Sequence, residues 1–487
     1  YGMQPVSDLM GQARIGLVDP SAHEEADKTV VSGTARFAGS ADGKKILVIQ
    51  DGQMAIVDAK ADQKLDTPIA TAGMVTEIEP RSEWRQIFHE AWRIQRDFFY
   101  DPGLHGVDWE AVRQQYAAML GDAASREDVA YVIREMISEL NVGHAYYFGG
   151  DLEDEPSVTV GMLGVDWELA DGAYRIAAVV EGGPWDVDAR GPLSRPGIDV
   201  GVGDYVLAVN GVPVDPAKDP WAAFQGLAGS TVTLTVSDEP RLDDTARSVV
   251  VELAASEDDL RYRRWVEANR RYVDEQTDGR VGYIYVPNTG IQGQNELVRQ
   301  FFGQVTKAGL IIDERWNGGG QIPTRFIELL DRPIANYWSL REGEDIVWPP
   351  DAHHGPKAML INGLAGSGGD YFPFWFRERG LGPLIGTRTW GGLVGISTPP
   401  LLIDGAVTTA PNFAFYESDG TWGIEGHGVD PDIEVIDHPA EMVDGGDPQL
   451  DAAIAHVLAQ IESNPYTPPT PPDYPDRSGM GITPEDH

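Results

Sequence analysis

Alternating apolar and polar positions predict β structure over residues 1–75. Two alternating runs, at 45–49 and 54–57, flank the dipeptide Asp51-Gly52. An Asp-Gly pair between such runs is a strong signal of a two-residue hairpin turn, because both turn positions then need a positive φ. We therefore predict that residues 1–75 form a small β segment.

The apolar period becomes helical over residues 76–150. Trp84, Ile87, Phe88 and Ala91 recur three or four positions apart, which places them on one helical face. A later helix begins at Ser125, where a serine cap precedes acidic residues in the first turn. The pattern predicts a helical module that ends in a glycine-containing loop.

Strands return over residues 151–258, and strands alternate with helices over residues 259–463. Continuous apolar runs at 281–286, 310–314 and 358–361 are separated by amphipathic stretches, a pattern typical of an α/β domain. The proline-rich stretch 464–487 predicts a disordered tail or an extended arm. The predicted fold class is therefore multidomain α/β.

Composition narrows the range of functions. The 487 residues carry a formal net charge of -40, which repels phosphate backbones and anionic lipid headgroups, so we expect no nucleic-acid partner. The chain has no cysteine, which excludes disulfides, thiolate nucleophiles and cysteine-ligated metals. No apolar run is long enough for membrane insertion. The N-terminus has neither a signal-peptide pattern nor an initiator methionine, so we expect a processed form or a fragment. The absence of cysteine fits either the cytoplasm or the periplasm.

The most informative motif is Gly366-Ser367-Gly368-Gly369-Asp370, between the apolar run 358–361 and the amphipathic run 371–378. A serine at this strand-to-helix junction stands at the positive end of the helix. Backbone N–H groups there lack intrahelical partners and can stabilise an oxyanion. Serine is also a frequent helix N-cap, so the motif alone predicts either a cap or a nucleophile.

Three further loops carry residue types that suit nucleophilic catalysis. His144 lies beside a glycine, and an imidazole can act as a base at neutral pH. Residues 316–320 read Trp-Asn-Gly-Gly-Gly after an apolar run, and glycines there allow a backbone N–H to approach a substrate carbonyl. Residues 423–432 form a glycine-rich loop that contains Glu425.

Residues 203–211 read Gly-Asp-Tyr-Val-Leu-Ala-Val-Asn-Gly and resemble the signature of PDZ domains. In that family the opening loop binds a peptide C-terminus, and the peptide adds to the sheet edge as a strand. The resemblance implies a peptide-binding loop formed by Gly161, Met162, Leu163, Gly164 and Val165.

The ordered set of motifs resembles the tricorn-like branch of the tail-specific, or carboxyl-terminal processing, serine peptidases. The resemblance implies a crotonase-like αββ peptidase core over 259–463, a helical module over 76–150 that carries the catalytic histidine and a PDZ domain over 151–258. It also implies that the strands of 1–75 match the end of a β-propeller. Further implications are peptide or unfolded-protein substrates, no cofactor, and a homo-oligomer, hexameric by resemblance.

The resemblance also implies a role for each motif residue. Ser367 matches the nucleophile, His144 the general base and Glu425 the acid at the end of the histidine relay. The N–H of Gly368, together with that of Gly318 or Gly319, matches the oxyanion hole of the family.

The chain departs from the family pattern at Gly143, where a serine normally precedes the catalytic histidine and bridges to the glutamate. Either Glu425 reaches His144 through water or another hydroxyl, for which Ser397 is a candidate, or the relay is weaker.

Two other functions stay open at this point. A PDZ domain with an inactive peptidase scaffold would bind peptides without cutting them. A metal-dependent hydrolase would use Asp351, His353 and His354, although adjacent histidines usually point apart and no H-E-x-x-H motif is present, so we predict no metal site. The acid-rich loop 331–351 predicts either a pocket for basic side chains or a solvated loop.

Overall fold

The computed structural model describes residues 14–18, 28–34, 36–71, 73–153, 155–182, 190–321, 323–397, 400–443 and 445–475. The chain forms two compact units, Tyr1–Arg81 and Ser82–His487. None of the helices in the described ranges is long and apolar enough to cross a membrane.

The N-terminal unit contains two small antiparallel sheets. Its described strands are β1 (Arg14–Leu17), β2 (Lys28–Ser32), β3 (Arg36–Gly39), β4 (Lys45–Gln50) and β5 (Gln53–Asp58). β1 pairs with β2, and β3, β4 and β5 form a meander. Asp51 and Gly52 have φ values of 50° and 75°. These angles suit the two-residue hairpin turn predicted between β4 and β5.

The second unit begins with the helical module. Its elements are α1 (Pro80–Phe98), a 3₁₀ turn (Leu104–Gly106), α2 (Trp109–Met119), α3 (Arg126–Ser138) and the short strand β6 (Tyr147–Phe148). The backbone N–H of Ser125 donates to Asp128 at 2.8 Å and the Asp128 N–H donates to Ser125 Oγ at 3.1 Å, which is the capping box predicted at the start of α3.

A six-stranded antiparallel sheet follows. Its elements are β7 (Val165–Ala170), β8 (Ala173–Val179), a 3₁₀ turn (Pro192–Ser194), β9 (Tyr205–Val209), β10 (Val212–Pro213), a 3₁₀ turn (Pro220–Phe224), β11 (Thr231–Ser237) and β12 (Arg247–Glu252). The strand order is β12-β11-β9-β8-β7, and β10 pairs with β9. β7 is therefore an edge strand.

The remaining elements form the α/β domain. They are α4 (Asp258–Gln276), β13 (Val281–Tyr285), α5 (Ile291–Phe302), β14 (Gly309–Asp313), α6 (Pro323–Leu330), β15 (Asn336–Trp338), β16 (Ile346–Trp348), β17 (Lys357–Ile361), α7 (Gly368–Glu378), β18 (Leu384–Gly386), β19 (Gly395–Ile396), β20 (Val407–Thr408), β21 (Pro411–Phe413), β22 (Ile433–Glu434), α8 (Pro439–Met442) and α9 (Pro448–Ser463). β13, β14, β17, β18 and β22 form a parallel sheet in the order β13-β14-β17-β18-β22.

Helices cover both faces of this parallel sheet. Every residue of β13, β14 and β17 is buried, which explains the continuous apolar runs in the sequence. One face packs against α5, α6 and α7. The other packs against α4 and α9. The sheet therefore presents only its edges and strand ends to ligands.

Strand β20 of the α/β domain pairs with β6 of the helical module, with Val407 opposite Phe148 and Thr408 opposite Tyr147. The Gln95 side chain on α1 also donates to the Thr409 carbonyl at 2.8 Å. These contacts hold the loop that contains His144 against the α/β domain.

The described part of the proline-rich tail, residues 464–475, has no helix or strand but makes specific contacts. The hydroxyl of Tyr466 lies 2.5 Å from that of Tyr337, and its ring lies 3.5 Å from the His354 ring. Tyr466 therefore packs on the domain, whereas residues 467–475 are exposed.

Candidate active site

Ser367 occupies a strained turn between β17 and α7. Its φ is 59° and its ψ is -115°, a conformation that residues with a Cβ rarely adopt. The glycines on either side are sterically required. A Cβ on Gly366 would lie 2.5 Å from the Trp390 ring, and a Cβ on Gly368 would lie 1.9 Å from the hydroxyl of Thr289. This is the backbone geometry of a nucleophile elbow.

Asp370 holds this turn in place from a fully buried position. Its carboxylate accepts hydrogen bonds from the Ser367 N–H at 2.8 Å and the Thr389 hydroxyl at 2.5 Å. It also accepts from the N–H groups of Gly391 at 2.8 Å and Gly392 at 3.1 Å. Burial raises the pKa of Asp370, and these four donors oppose the shift. Sequence reasoning missed this role, although an acid three residues after a capping serine was the available signal.

His144 lies in the loop after α3, with a φ of 57°. The hydroxyl of Thr409 donates to the His144 carbonyl at 2.6 Å and accepts from the Tyr146 N–H at 2.8 Å, which fixes the backbone of the loop. The imidazole packs between Tyr146 and Trp390, with ring centroids 5.9 and 5.8 Å away. Its Nδ1 is buried and has no hydrogen-bond partner among the described residues.

Burial lowers the pKa of His144 because it disfavours the charged imidazolium, and the negative charge of Glu425 opposes this shift. The imidazole is therefore neutral at neutral pH. A neutral imidazole is the form that can accept a proton.

Glu425 binds the backbone of two loops. Its Oε1 accepts from the Gly143 N–H at 2.9 Å, and its Oε2 accepts from the N–H groups of Leu393 at 2.6 Å and Val394 at 2.8 Å. Three donors thus fix the carboxylate, which contacts the histidine loop at the peptide between Val142 and Gly143 and whose negative charge influences His144.

The structure explains the glycine that replaces the expected serine before His144. A Cβ on Gly143 would lie 2.8 Å from the Cα of Gly392 and 3.2 Å from Oε1 of Glu425, so a larger residue does not fit this approach. Ser397 does not bridge the two residues, because its hydroxyl is exposed and lies 3.3 Å from Asn412 Oδ1. Of the two sequence-based options for the relay, the hydroxyl bridge through Ser397 is therefore absent.

Residues 389–394 connect the serine turn to the histidine loop. Backbone N–H groups of this segment bind Asp370 at one end and Glu425 at the other. The Trp390 ring contacts His144 and also lies against Gly366, next to the serine. This segment thus links the loops that carry Ser367, His144 and Glu425, which are distant in the chain.

The turn at 317–320 lies directly against the serine. A Cβ on Gly319 would lie 2.7 Å from the Ser367 Cβ and 3.1 Å from the Gly368 nitrogen. The N–H groups predicted to share the oxyanion hole with Gly368 already have acceptors: the Gly318 N–H donates to the Pro287 carbonyl at 3.0 Å, and the Gly319 N–H to Asn317 Oδ1 at 2.9 Å.

The N–H group of Gly320 is different. It has no acceptor among the described residues, and the same holds for the N–H of Gly368. The two groups are close, because a Cβ built on Gly368 would lie 2.9 Å from the Gly320 nitrogen. The available donor pair beside Ser367 is therefore Gly368 with Gly320, a residue that the sequence reading did not select.

A cavity of about 360 Å³ opens one helical turn beyond the serine. Tyr371 and Trp375 of α7 are stacked with parallel rings, 6.1 Å apart, and Phe415 lies 5.7 Å from Tyr371. Carboxylates also line the cavity, including Glu417. Burial and the nearby charges of Asp419 and Glu378 raise the pKa of Glu417.

The predicted peptide-binding loop of the PDZ-like domain uses its N–H groups internally. Gly161 donates to the Phe224 carbonyl at 2.9 Å and Met162 to the Ala254 carbonyl at 2.8 Å. Gly164 donates to the buried carboxylate of Glu257 at 2.8 Å. Leu163 is fully buried in the domain core and Val165 begins β7. An internal carboxylate therefore occupies a donor that was expected to bind a peptide C-terminus.

Aromatic side chains pack between the edge strand and the 3₁₀ turn of this domain. The ring of Trp167 on β7 lies 5.7 Å from that of Trp221 and 6.2 Å from that of Phe224. These rings therefore lie beside β7, the strand to which a peptide would be added.

The residues of the alternative metal site make other contacts. Asp351 pairs with Arg332, Nε2 of His353 lies 3.0 Å from the Lys307 carbonyl, and His354 packs on Tyr466. The described residues contain no group of three or more His, Cys, Asp or Glu side chains placed to hold a metal ion.

Comparison with known protein families identifies three domains. The Tricorn protease C1 domain matches residues 80–138, the Tricorn protease PDZ domain matches residues 161–256, and Peptidase family S41 matches residues 280–435. Together they cover the helical module, the PDZ-like domain and most of the α/β domain.

Individual proteins match over most of this chain. Tricorn protease homolog 1 of Streptomyces coelicolor is 38% identical over 488 residues, which are 96% of this chain and 45% of the homolog. The tricorn protease of Thermoplasma volcanium is 34% identical over 442 residues, 90% of this chain and 42% of that protein. A crystal structure of the tricorn protease superposes with a TM-score of 0.80 at 31% identity, over 90% of this chain and 42% of that one.

The chain thus spans less than half the length of these relatives. The comparisons confirm the resemblance predicted from the ordered motifs and the multidomain α/β fold with its PDZ domain.

Proposed function

The chain belongs to the tricorn protease family of S41 peptidases, and on that premise we propose that it is a serine peptidase that cleaves oligopeptides or unfolded polypeptides. The observation that carries the proposal is the Ser367 turn. A serine with positive φ, free N–H groups beside it and a desolvated neutral imidazole held against the same tryptophan has the parts that acyl transfer requires.

In the proposed mechanism, His144 accepts the proton of the Ser367 hydroxyl as the oxygen attacks the carbonyl carbon of the substrate. The imidazolium then gives this proton to the leaving amine, and an acyl-enzyme ester remains. A water molecule then attacks the ester carbonyl while His144 accepts its proton. Hydrolysis of the ester releases the acyl product and restores the side chains of Ser367 and His144. Lowering of the His144 pKa by burial supports the role of base, because the side chain is deprotonated before the reaction begins.

The N–H groups of Gly368 and Gly320 would stabilise the oxyanion of the tetrahedral intermediate. Both groups lack an acceptor among the described residues, and both are held by rigid turns, so they need little reorganisation during the reaction. Gly319 would have a steric role, since only a residue without a Cβ can lie this close to Ser367.

Glu425 would act as a positioning residue. It fixes the peptide between Val142 and Gly143, one residue before His144, and stabilises the imidazolium through its negative charge. Its hydrogen bonds to Leu393 and Val394 tie the histidine loop to the segment that also binds Asp370. In this proposal the acid of the relay works through the backbone.

The cavity lined by Tyr371, Trp375 and Phe415 would receive a substrate side chain next to the cleaved bond. Aromatic rings attract cations through their faces, and Glu417 adds a partly desolvated carboxylate. We therefore propose a preference for basic side chains. The formal net charge of -40 would also speed the approach of cationic peptides.

The PDZ domain would brace the peptidase and leave peptide termini unbound. The bond from Gly164 to Glu257, at the start of α4, supports this role because it joins the loop to the α/β domain. From the family resemblance we also propose that the chain forms homo-oligomers, with a hexamer as the expected form.

Incubation with a mixed peptide library, followed by mass spectrometry, tests the proposal. Wild-type protein should produce defined cleavage products, and the Ser367→Ala variant should produce none. Equal product formation by both proteins, or products whose formation requires added metal, would contradict a serine mechanism.

A further inference from the structure

A second cavity, of about 630 Å³, lies at the amino-terminal edge of the parallel sheet. It is lined by residues just before or at the start of β14, β17 and β18, and α9 forms one wall. Ser367 follows the carboxyl end of β17, so this cavity is at the opposite edge of the sheet from the proposed peptidase site. Its volume lies in the range of small-molecule binding sites.

The charge of this cavity is opposite to that of the protein. The chain has 77 Asp and Glu against 37 Lys and Arg, yet none of the described residues that line the cavity is acidic. Lys307, Lys357, His354 and His456 line it instead. A cavity lined by basic residues in such an acidic protein favours the binding of negatively charged ligands.

Lys357 is a buried lysine among the residues that line the cavity. It is only 7% exposed, and its Nζ donates to the carbonyl oxygens of His353 at 2.9 Å and Gly355 at 3.4 Å. No carboxylate in the described part of the chain forms an ion pair with it. A buried ammonium without a counter-ion is costly, and proteins normally pair such a group.

Lys307 provides an internal comparison. Its Nζ pairs with Asp274 at 2.6 Å and donates to the Gly279 carbonyl at 2.7 Å, so the protein itself neutralises this lysine. Asp331 influences Lys357 electrostatically but is paired with Arg379 at 2.6 Å and does not line the cavity. The missing partner of Lys357 would have to come from a ligand.

We propose that this cavity binds a small organic anion whose carboxylate or phosphate group pairs with the Lys357 ammonium. The apolar part of such a ligand would pack against Val305, Leu381 and Ile461, which line the cavity. The inference is independent of peptidase activity.

The proton of Lys357 gives the proposal a second readout. Burial lowers the pKa of Lys357 to about 8, and Asp331 opposes the shift. The other titratable groups around it are His353 and His354 in the same loop, Lys307, His456 on α9 and Tyr466 of the tail, whose pKa is raised and which stays neutral in this range. Burial lowers the pKa values of both loop histidines. Only a protonated lysine pairs with an anion, so affinity should fall as the pH rises through about 8.

The experiment is calorimetric titration of the full chain with inorganic phosphate and with citrate, in a buffer of low ionic strength. At least one probe should bind saturably, with one site per chain. The variant Lys357→Met keeps the length of the side chain and removes its charge, and it should lose at least about tenfold in affinity. The control Lys218→Met removes an exposed lysine from the PDZ domain and should bind like the wild type.

The pH series uses wild-type protein and citrate, which remains a polyanion between about pH 7 and about pH 9, where the lysine loses its proton. It keeps the proposal testable should Lys357→Met fail to fold. Ser367→Ala should bind the probes like the wild type, which separates this proposal from the proposed function. Absence of saturable binding for both probes, equal affinity in Lys357→Met and Lys218→Met, or affinity that does not change across the pH range would overturn the inference.

Discussion

Oε1 of Glu425 accepts a hydrogen bond from the backbone N–H of Gly143, with 2.9 Å between oxygen and nitrogen. Nδ1 of His144 has no partner among the described residues, and the carboxylate contacts the histidine loop at the peptide between Val142 and Gly143. This relationship determines what each active-site substitution should do.

The first prediction concerns pH. Activity should rise with pH as His144 loses its proton, and the midpoint should lie below the ordinary histidine value because burial lowers the pKa of His144. Glu425→Gln removes the charge that raises this pKa, so the midpoint should move to still lower pH. The measurement is kcat/KM of a short peptide across the acidic range for both proteins. A midpoint that moves to higher pH in the variant would contradict the assignment.

Glu425→Gln should also be less damaging than His144→Ala. An orienting acid typically contributes about one to two orders of magnitude less than the base. The loss should still be clear, because a glutamine amide cannot accept from Gly143, Leu393 and Val394 together. Comparison of kcat for the two variants at neutral pH tests this order, and the reverse order would be inconsistent with a base at His144.

The second prediction concerns the oxyanion donors. Gly368→Ala would place a Cβ 1.9 Å from the Thr289 hydroxyl, so the N–H must move, and we expect kcat to fall at least about a hundredfold. Gly201→Ala is the matched control, because a Cβ there has no neighbour within 4 Å and the φ is not positive. Activity of Gly368→Ala within a few-fold of this control would argue against the donor pair of Gly368 and Gly320.

Sequence reasoning selected candidate residues for the site but did not predict the contacts between their loops. Ser367, His144 and Glu425 all lie in glycine-containing loops, and the structure brings these loops together. The segment 389–394, which joins them, matches no motif, so the role of Trp390 could not be predicted, whereas the spacing of Asp370 from Ser367 was an available signal for its role. Which N–H of three successive glycines stays free depends on Pro287 and Asn317, and such contacts are visible only in the folded chain.

The elements of the α/β domain followed from local pattern because its strands are buried on both faces. The fate of the PDZ loop did not, since the carboxylate that occupies the Gly164 N–H comes from Glu257, 93 residues further along the chain. Local periodicity predicts elements, whereas long-range polar contacts decide what a loop can bind.

The third prediction concerns Trp390, whose ring lies against both His144 and Gly366. Trp390→Ala should reduce kcat by about one to two orders of magnitude, since a shift of about 1 Å in a catalytic group can have this effect. Trp390→Phe should recover part of the activity because a ring remains. A change in KM alone, with kcat preserved, would mean that this tryptophan only contacts substrate.

The fourth prediction concerns the PDZ domain. Glu257→Ala leaves the Gly164 N–H without its acceptor, and the free energy of unfolding should fall by about 1–3 kcal/mol. The control is Glu252→Ala, which removes an exposed ion pair with Arg195. It should change the free energy of unfolding by less than about 1 kcal/mol. Peptides with a free and an amidated C-terminus should have equal KM values, because the loop N–H groups of Gly161, Met162 and Gly164 already donate within the protein. A KM that depends strongly on the free carboxylate would restore the peptide-binding role.

The fifth prediction concerns the substrate. At low salt, kcat/KM should be higher for a lysine peptide than for matched leucine and glutamate peptides. Raising the salt concentration from about 0.1 M to about 1 M reduces the Debye length from about 10 Å to about 3 Å, which removes the contribution of long-range attraction. The part of the preference that survives should be lost in Glu417→Gln if the aromatic cavity binds the basic side chain. Faster cleavage of the glutamate peptide at low salt would contradict both contributions.

The central claim is that Ser367 is a nucleophile activated by His144, and covalent labelling tests it most directly. The protein is treated with a fluorophosphonate, digested and mapped by mass spectrometry, alongside Ser367→Ala, His144→Ala and the control Ser397→Ala. We predict one adduct, on Ser367, formed by the wild type and by Ser397→Ala, lost in Ser367→Ala and slowed by several orders of magnitude in His144→Ala. Labelling of Ser367 that is as fast without His144, or no adduct on Ser367 in the wild-type protein, would contradict the account.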